Sequence, residues 1–84
     1  MSTWTTVYNE HKITVENNWM GGERLWVNGV LQDEQMGLAF RSRLYGSIRV
    51  SGLETKRIKV SLGTPSFSAE CRIFVDDELV FSGS

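Results

Sequence analysis

One cysteine, one histidine and one proline among 84 residues leave little room for several kinds of chemistry. A lone Cys71 excludes an intrachain disulfide framework and favours a reducing compartment. A lone His11 excludes a paired-histidine metal site and any catalytic arrangement with an imidazole to spare. No stretch approaches the roughly 18 consecutive apolar residues of a membrane-spanning helix. The polar run Ser2-Thr3-Trp4-Thr5-Thr6 after Met1 does not read as a secretory leader, and no Asn-x-Ser/Thr acceptor occurs. A cytoplasmic location without a membrane partner is the expectation. Gly21-Gly22 is not followed by the Gly-Lys-Ser/Thr of a phosphate loop, so no nucleotide site and no cofactor are expected. A net charge of −1 supplies no overall pull toward nucleic acid or an anionic membrane.

What is present is enough apolar material for one small fold. The apolar fraction is 40% and the aromatic fraction 11%, and each buried ring removes roughly 150–250 Å² from water. Residues 1–84 read as a single domain, with no linker, charge block or low-complexity segment. The dominant pattern has period two, which sends alternate side chains to opposite faces of a sheet. It runs through Lys12-Ile13-Thr14-Val15-Glu16, Leu38 to Leu44, Ile48-Arg49-Val50 and Ile58-Lys59-Val60-Ser61-Leu62.

Turn chemistry separates these runs at Met20-Gly21-Gly22, Asn28-Gly29, Tyr45-Gly46-Ser47, Ser51-Gly52 and Gly63-Thr64-Pro65-Ser66. Val27-Asn28-Gly29-Val30 is the strongest, because Asn-Gly favours a two-residue type I′ turn in which both residues take positive φ. Such a turn sets Val27 opposite Val30, Trp26 opposite Leu31 and Arg24 opposite Asp33. Arg72-Ile73-Phe74-Val75-Asp76-Asp77-Glu78-Leu79 lies over Arg24-Leu25-Trp26-Val27-Asn28-Gly29-Val30-Leu31 without gaps, a match attributable to shared hairpin chemistry. The fold class that follows is all-β, a small antiparallel β-sandwich or barrel of about seven to eight short strands joined by hairpins. Alternation nominates a core of Ile13, Val15, Leu25, Val27, Leu38, Phe40, Leu44, Ile48, Val50, Ile58, Val60, Leu62, Cys71, Ile73 and Val75.

Residues that can carry chemistry read mostly as structure. His11 reads as a solvated imidazole at a strand end, without the partner a general base requires. Cys71 shares a face with Ile73 and Val75 and reads as a buried, inert thiol. Asp76-Asp77 suits a hairpin tip, and no calcium-loop spacing surrounds it. No catalytic residue and no metal ligand are expected.

Charge and aromatic placement point to surfaces instead. Arg41, Arg43, Arg49, Lys56, Arg57 and Lys59 place six of the nine basic residues within nineteen positions, where Glu54 is the only acid. Arg41 and Arg43 share a strand face with Tyr45, while Arg49 and Lys59 point outward from neighbouring strands. Trp26 and Leu31 lie opposite the Leu25 and Val27 face and form either core or an apolar patch.

Three segments together resemble a known family. His11-Lys12-Ile13-Thr14-Val15-Glu16, Gly22-Glu23-Arg24-Leu25-Trp26-Val27-Asn28-Gly29 and Ile73-Phe74-Val75-Asp76-Asp77-Glu78-Leu79 resemble one half of the Fas apoptotic inhibitory molecule family. The resemblance spans residues 4–82 and implies a compact antiparallel β-sandwich with protein-binding rather than catalytic behaviour. It carries no catalytic residues across. The family has two such units, and this chain shows one.

A non-enzymatic interaction module is therefore expected, acting through a sheet face or edge on a protein partner or a second copy of itself. Its candidate contacts are Trp26, Leu31, Arg41, Arg43, Tyr45, Arg49 and Lys59, since Trp and Arg concentrate at energetic hot spots. The alternatives are single-stranded nucleic-acid binding through the basic 41–59 segment and a small-ligand-binding β barrel.

Overall fold

Tight turns with left-handed backbone set the architecture. Asn9 and Glu10 (φ 49° and 67°), Asn28 and Gly29 (51° and 79°) and Asp76 and Asp77 (49° and 67°) each reverse the chain between two strands. Positive φ at both central residues gives the turn the right-handed twist that its flanking strands require. The Asn28-Gly29 hairpin agrees with the sequence pattern, whereas Asn9-Glu10 carries no glycine to announce it.

A computed structural model describes residues 2–18, 22–36, 41–63 and 70–84, with the side chains of residues 41 and 42 outside that description. It contains β1 (Ser2–Tyr8), β2 (His11–Asn18), β3 (Gly22–Val27), β4 (Val30–Gln35), β5 (Arg41–Ser51), β6 (Glu54–Gly63), β7 (Glu70–Val75) and β8 (Glu78–Gly83). Two four-stranded antiparallel sheets result, β1-β2-β3-β4 and β5-β6-β7-β8, so each strand pairs only with its neighbours in the chain. The fold is an all-β sandwich. Among the described residues no helix is long and apolar enough to cross a membrane.

One apolar cluster fills the space between the sheets. Ile13, Val15, Leu25, Val27, Leu44, Ile48, Ile58, Val60, Leu62, Cys71, Ile73 and Val75 are all buried, as alternation predicts. Each aliphatic side chain of this kind contributes roughly 1.5–3 kcal/mol by leaving water. Trp4 joins them from a strand made mostly of Ser and Thr, and its indole lies against Gly83 of β8. Val50 is only half-buried, because it is the extra residue of a bulge where Arg49 faces Thr55 and Ser51 faces Glu54. Leu38 and Phe40 lie outside the described residues.

Two local expectations are corrected. Tyr45-Gly46-Ser47 is not a turn but the middle of the eleven-residue strand β5. Gly46 is there because β5 passes close to the other sheet: a Cβ at this position would sit 3.1 Å from Leu25 Cδ2 and 3.2 Å from Gln32 Cβ. Arg24 faces Glu34 rather than Asp33, because a bulge leaves Gln32 as an extra residue between Leu31 and Asp33. The Arg24 guanidinium accordingly donates to Glu34 at 2.6 Å.

The eight-residue match between hairpins extends to their irregularities. In β7–β8, Phe74 faces Leu79 and Ile73 faces Phe81, so Val80 is the extra residue, at the place Gln32 takes in β3–β4. Each turn is also tied to the preceding strand in one way. Asn28 Oδ1 accepts from the Lys12 N–H while the Asn28 N–H donates to Lys12 O; Asp76 Oδ1 and N–H make the same pair with Arg57. The two halves of the chain thus share a hairpin, a bulge and a turn cap.

Candidate interaction surface

Alternation divides the candidate contacts between two opposite faces. On the outer side of the β1–β4 sheet, Trp26 faces Thr14 and Leu31. Trp26 is half-buried and its indole N–H donates to Glu16 Oε1, so it is neither core nor a free anchor, while Leu31 beside it is 43% exposed. Arg24, Glu16 and Glu34 complete this face with mixed charge.

The outer side of the β5–β8 sheet is different in kind. Tyr45, Lys59, Phe74 and Leu79 form one continuous row across all four strands. Tyr45 is 56% exposed and Leu79 51% exposed. The Lys59 ammonium lies over the Phe74 ring, 4.9 Å from its centre, an electrostatically favourable placement. Arg43, Ser61, Arg72 and Ser82 make the adjacent row, and Ser47, Arg57 and Arg49 lie on the other side. Among the described residues, acids meet the bases of this face at its borders, where Glu70 approaches Arg72 at 3.8 Å and Asp77 approaches Lys59 at 3.9 Å. Residues 1–40 carry five acids and two bases, whereas residues 41–84 carry seven bases and five acids, so the chain is electrically polarised between its sheets.

The structure therefore brings Arg43, Tyr45, Arg49 and Lys59 together and leaves Trp26 and Leu31 on the far side. Arg41 opens β5 opposite Gly63, and its side chain lies outside the described residues. Phe74, Leu79, Arg57 and Arg72 belong to the same face but were not among the candidates. Phe74 and Leu79 occupy in one hairpin the places of Trp26 and Leu31 in the other, which is the signal that finds them.

His11 is not simply solvated. Asn28 Oδ1 is occupied by the Lys12 N–H, so the Asn28 amide nitrogen donates to His11 Nδ1, and His11 Nε2–H donates to Arg49 O at 2.8 Å. The imidazole is a strut between the sheets. Nearby, a shallow open depression of about 510 Å³ lies between Tyr8, Asn9, Val50, Ser51, Glu54 and Lys56. Lys56 donates to the Tyr8 hydroxyl, which raises the lysine pKa above its ordinary value. Cys71 is fully buried, and loss of solvation pushes its thiol up to about 12. Among the described residues no cluster of three His, Cys, Asp or Glu could hold a metal ion.

Comparison with protein-family models, with curated proteins and with solved structures finds no match for this chain.

Proposed function

We propose that this protein is a non-enzymatic interaction module whose outer β5–β8 face takes an acidic protein segment. The observation that carries this reading is the Tyr45-Lys59-Phe74-Leu79 row bordered by Arg43, Arg49, Arg57 and Arg72. Four arginines favour carboxylate partners, because the planar guanidinium matches a carboxylate with two parallel hydrogen bonds. Tyr45 and Leu79 supply the exposed apolar contact between them. The resemblance to one unit of the Fas apoptotic inhibitory molecule family implies the same kind of behaviour.

Single-stranded nucleic acid fits this face less well. Base stacking needs open aromatic rings in series. Here the Phe74 ring already carries the Lys59 ammonium, which leaves Tyr45 as the open ring in the row.

Titration calorimetry against a synthetic Asp/Glu-rich peptide containing Leu and Tyr, and in parallel against an oligothymidylate, tests the reading. Binding of the peptide is expected, weakened about tenfold or more in Arg43→Glu and Lys59→Glu and unchanged in Leu31→Ser on the opposite face. Peptide binding indifferent to both charge reversals would overturn it. So would preference for the oligonucleotide with affinity falling steeply as salt rises, the mark of phosphate contacts.

A further inference from the structure

The two sheets protect their edges unequally. An unpaired edge presents rows of N–H and C=O groups that can template another strand, and proteins blunt such edges with charges, bulges, proline or cover. Strand β4 has the Gln32 bulge together with Asp33 and Glu34. Strand β8 begins with Glu78 and carries the Val80 bulge. Strand β5 is sealed by side chains from the other sheet: Asp33 Oδ2 accepts the Tyr45 N–H, and His11 donates to Arg49 O.

Among the described residues, strand β1 has none of these devices. Its sequence, Ser2-Thr3-Trp4-Thr5-Thr6-Val7-Tyr8, contains no charge, no proline and no glycine. Its register with β2 runs without a shift from Ser2 opposite Asn17 to Tyr8 opposite His11. Thr, Val, Tyr and Trp are the residue types that best suit extended strands.

The backbone directions on β1 follow from β2. Lys12 directs both its N–H and its C=O to Asn28, away from β1, so Lys12 and Val7 face each other without bonding. Alternation along the strand then turns the N–H and C=O of Thr3, Thr5 and Val7 to the outer edge. Trp4, Thr6 and Tyr8 bond inward to β2.

We infer that β1 is a strand-addition edge whose occupant is the β1 of a second copy, paired antiparallel about Thr5. In that register Thr5 faces Thr5 and Thr3 faces Val7, so all six outward groups of each strand meet a partner. A strand without charge has no like-charge repulsion against its own copy. Its flanks are complementary as well: Val7 neighbours Lys12 and Thr3 neighbours Glu16, so the two rows in which Thr3 meets Val7 each end in a base on one copy and an acid on the other, and the central row of Thr5 and Thr14 carries no charge. The exposed Thr3, Thr5 and Val7 side chains become cross-strand pairs of β-branched residues. The assembly is a twofold dimer with a continuous eight-stranded sheet, and it leaves the basic β5–β8 face open on both copies. It rests on no part of the peptide-binding reading above.

Sedimentation of the full chain from micromolar to millimolar concentration, with hydrogen exchange of the same samples, is the test. A monomer–dimer equilibrium is expected, with amides of Thr3, Thr5 and Val7 exchanging more slowly as concentration rises and those of Trp4, Thr6 and Tyr8 indifferent to it. Thr5→Pro removes the central donor at an edge position where proline is tolerated, and weakens association by about tenfold or more. Thr5→Lys places like charges face to face and does the same without altering the backbone, so it decides the question should Thr5→Pro fail to fold. A monomer at every concentration would overturn the inference. So would an assembly that both variants leave unchanged, or one in which the Thr3, Thr5 and Val7 amides stay fast.

Discussion

The carboxylate of Asp33 accepts the main-chain N–H of Tyr45 at 2.8 Å, and its other oxygen accepts the N–H of Glu34 at the same distance. One side chain thereby fastens the last strand of the first sheet to the first strand of the second. Replacing Asp33 with Ala removes both acceptors and is expected to cost about 1–3 kcal/mol, because charged hydrogen bonds outweigh neutral ones. Asp33→Asn retains an acceptor and loses less. Urea unfolding followed by tryptophan fluorescence reads the difference as a lower midpoint at unchanged slope.

Asn28 combines a turn cap, a strut to His11 and a φ of 51°. Asn28→Ala loses all three and is expected to cost about 2–3 kcal/mol, whereas Asn28→Asp keeps the cap and tolerates the backbone, at roughly half the cost. Asp76→Asn, which preserves the side-chain bond to the Arg57 N–H, should be close to neutral. Thermal unfolding of the three variants checks the order. A larger loss for Asp76→Asn than for Asn28→Ala would contradict these assignments.

Cys71 should not react with a thiol reagent until the protein unfolds, since it is fully buried. Burial pushes its thiol from an ordinary value of 9.0 to about 12 in the fold. Between those values the unfolded chain releases a proton that the folded one retains. Stability is therefore unaffected by this group below pH 9 and falls above it, by about 1.4 kcal/mol for each pH unit. Cys71→Ala should remove this part of the alkaline dependence, which denaturation series between pH 8 and 11 would reveal.

Gly22 has φ 97°, and a Cβ added there would lie 2.1 Å from Gln35 O and 2.8 Å from Met36 Cα. Backbone atoms cannot swing aside as a side chain can. Gly22→Ala is expected to destabilise by about 2–4 kcal/mol, combining left-handed strain with displacement of β4. Gly29→Ala, at φ 79° with open space around it, isolates the strain alone and should cost about 1–2 kcal/mol.

Alternation made most of the interior legible, because a sheet buried on one face obliges every second side chain to be apolar. It located Val15, Val60 and Ile73 without reference to any partner strand. It failed where two strands fall out of step. Gln32 shifts Arg24 from Asp33 to Glu34, and an extra residue in a bulge leaves no mark in the composition of either strand. Gly46 misled in another way, since its smallness serves a neighbouring sheet rather than a bend. The basic face was half legible. Arg43, Tyr45 and Lys59 lie in one run of sequence, but Phe74 and Leu79 reach them only through the pairing of β6 with β7 and of β7 with β8. The ties made by His11 and Asp33 depend on how two sheets approach, which no local pattern encodes.

Every hydrogen-bonded strand pair here joins consecutive segments, with β1–β4 from one half of the chain and β5–β8 from the other. Each half can zip itself together by successive short loop closures, and only the last event brings distant residues into contact. Cutting the chain between Gln35 and Arg41 would then yield two peptides, each with a complete ladder and a naked greasy side. Such peptides should find one another when mixed, and the recovered complex would fold at a rate set by their concentration.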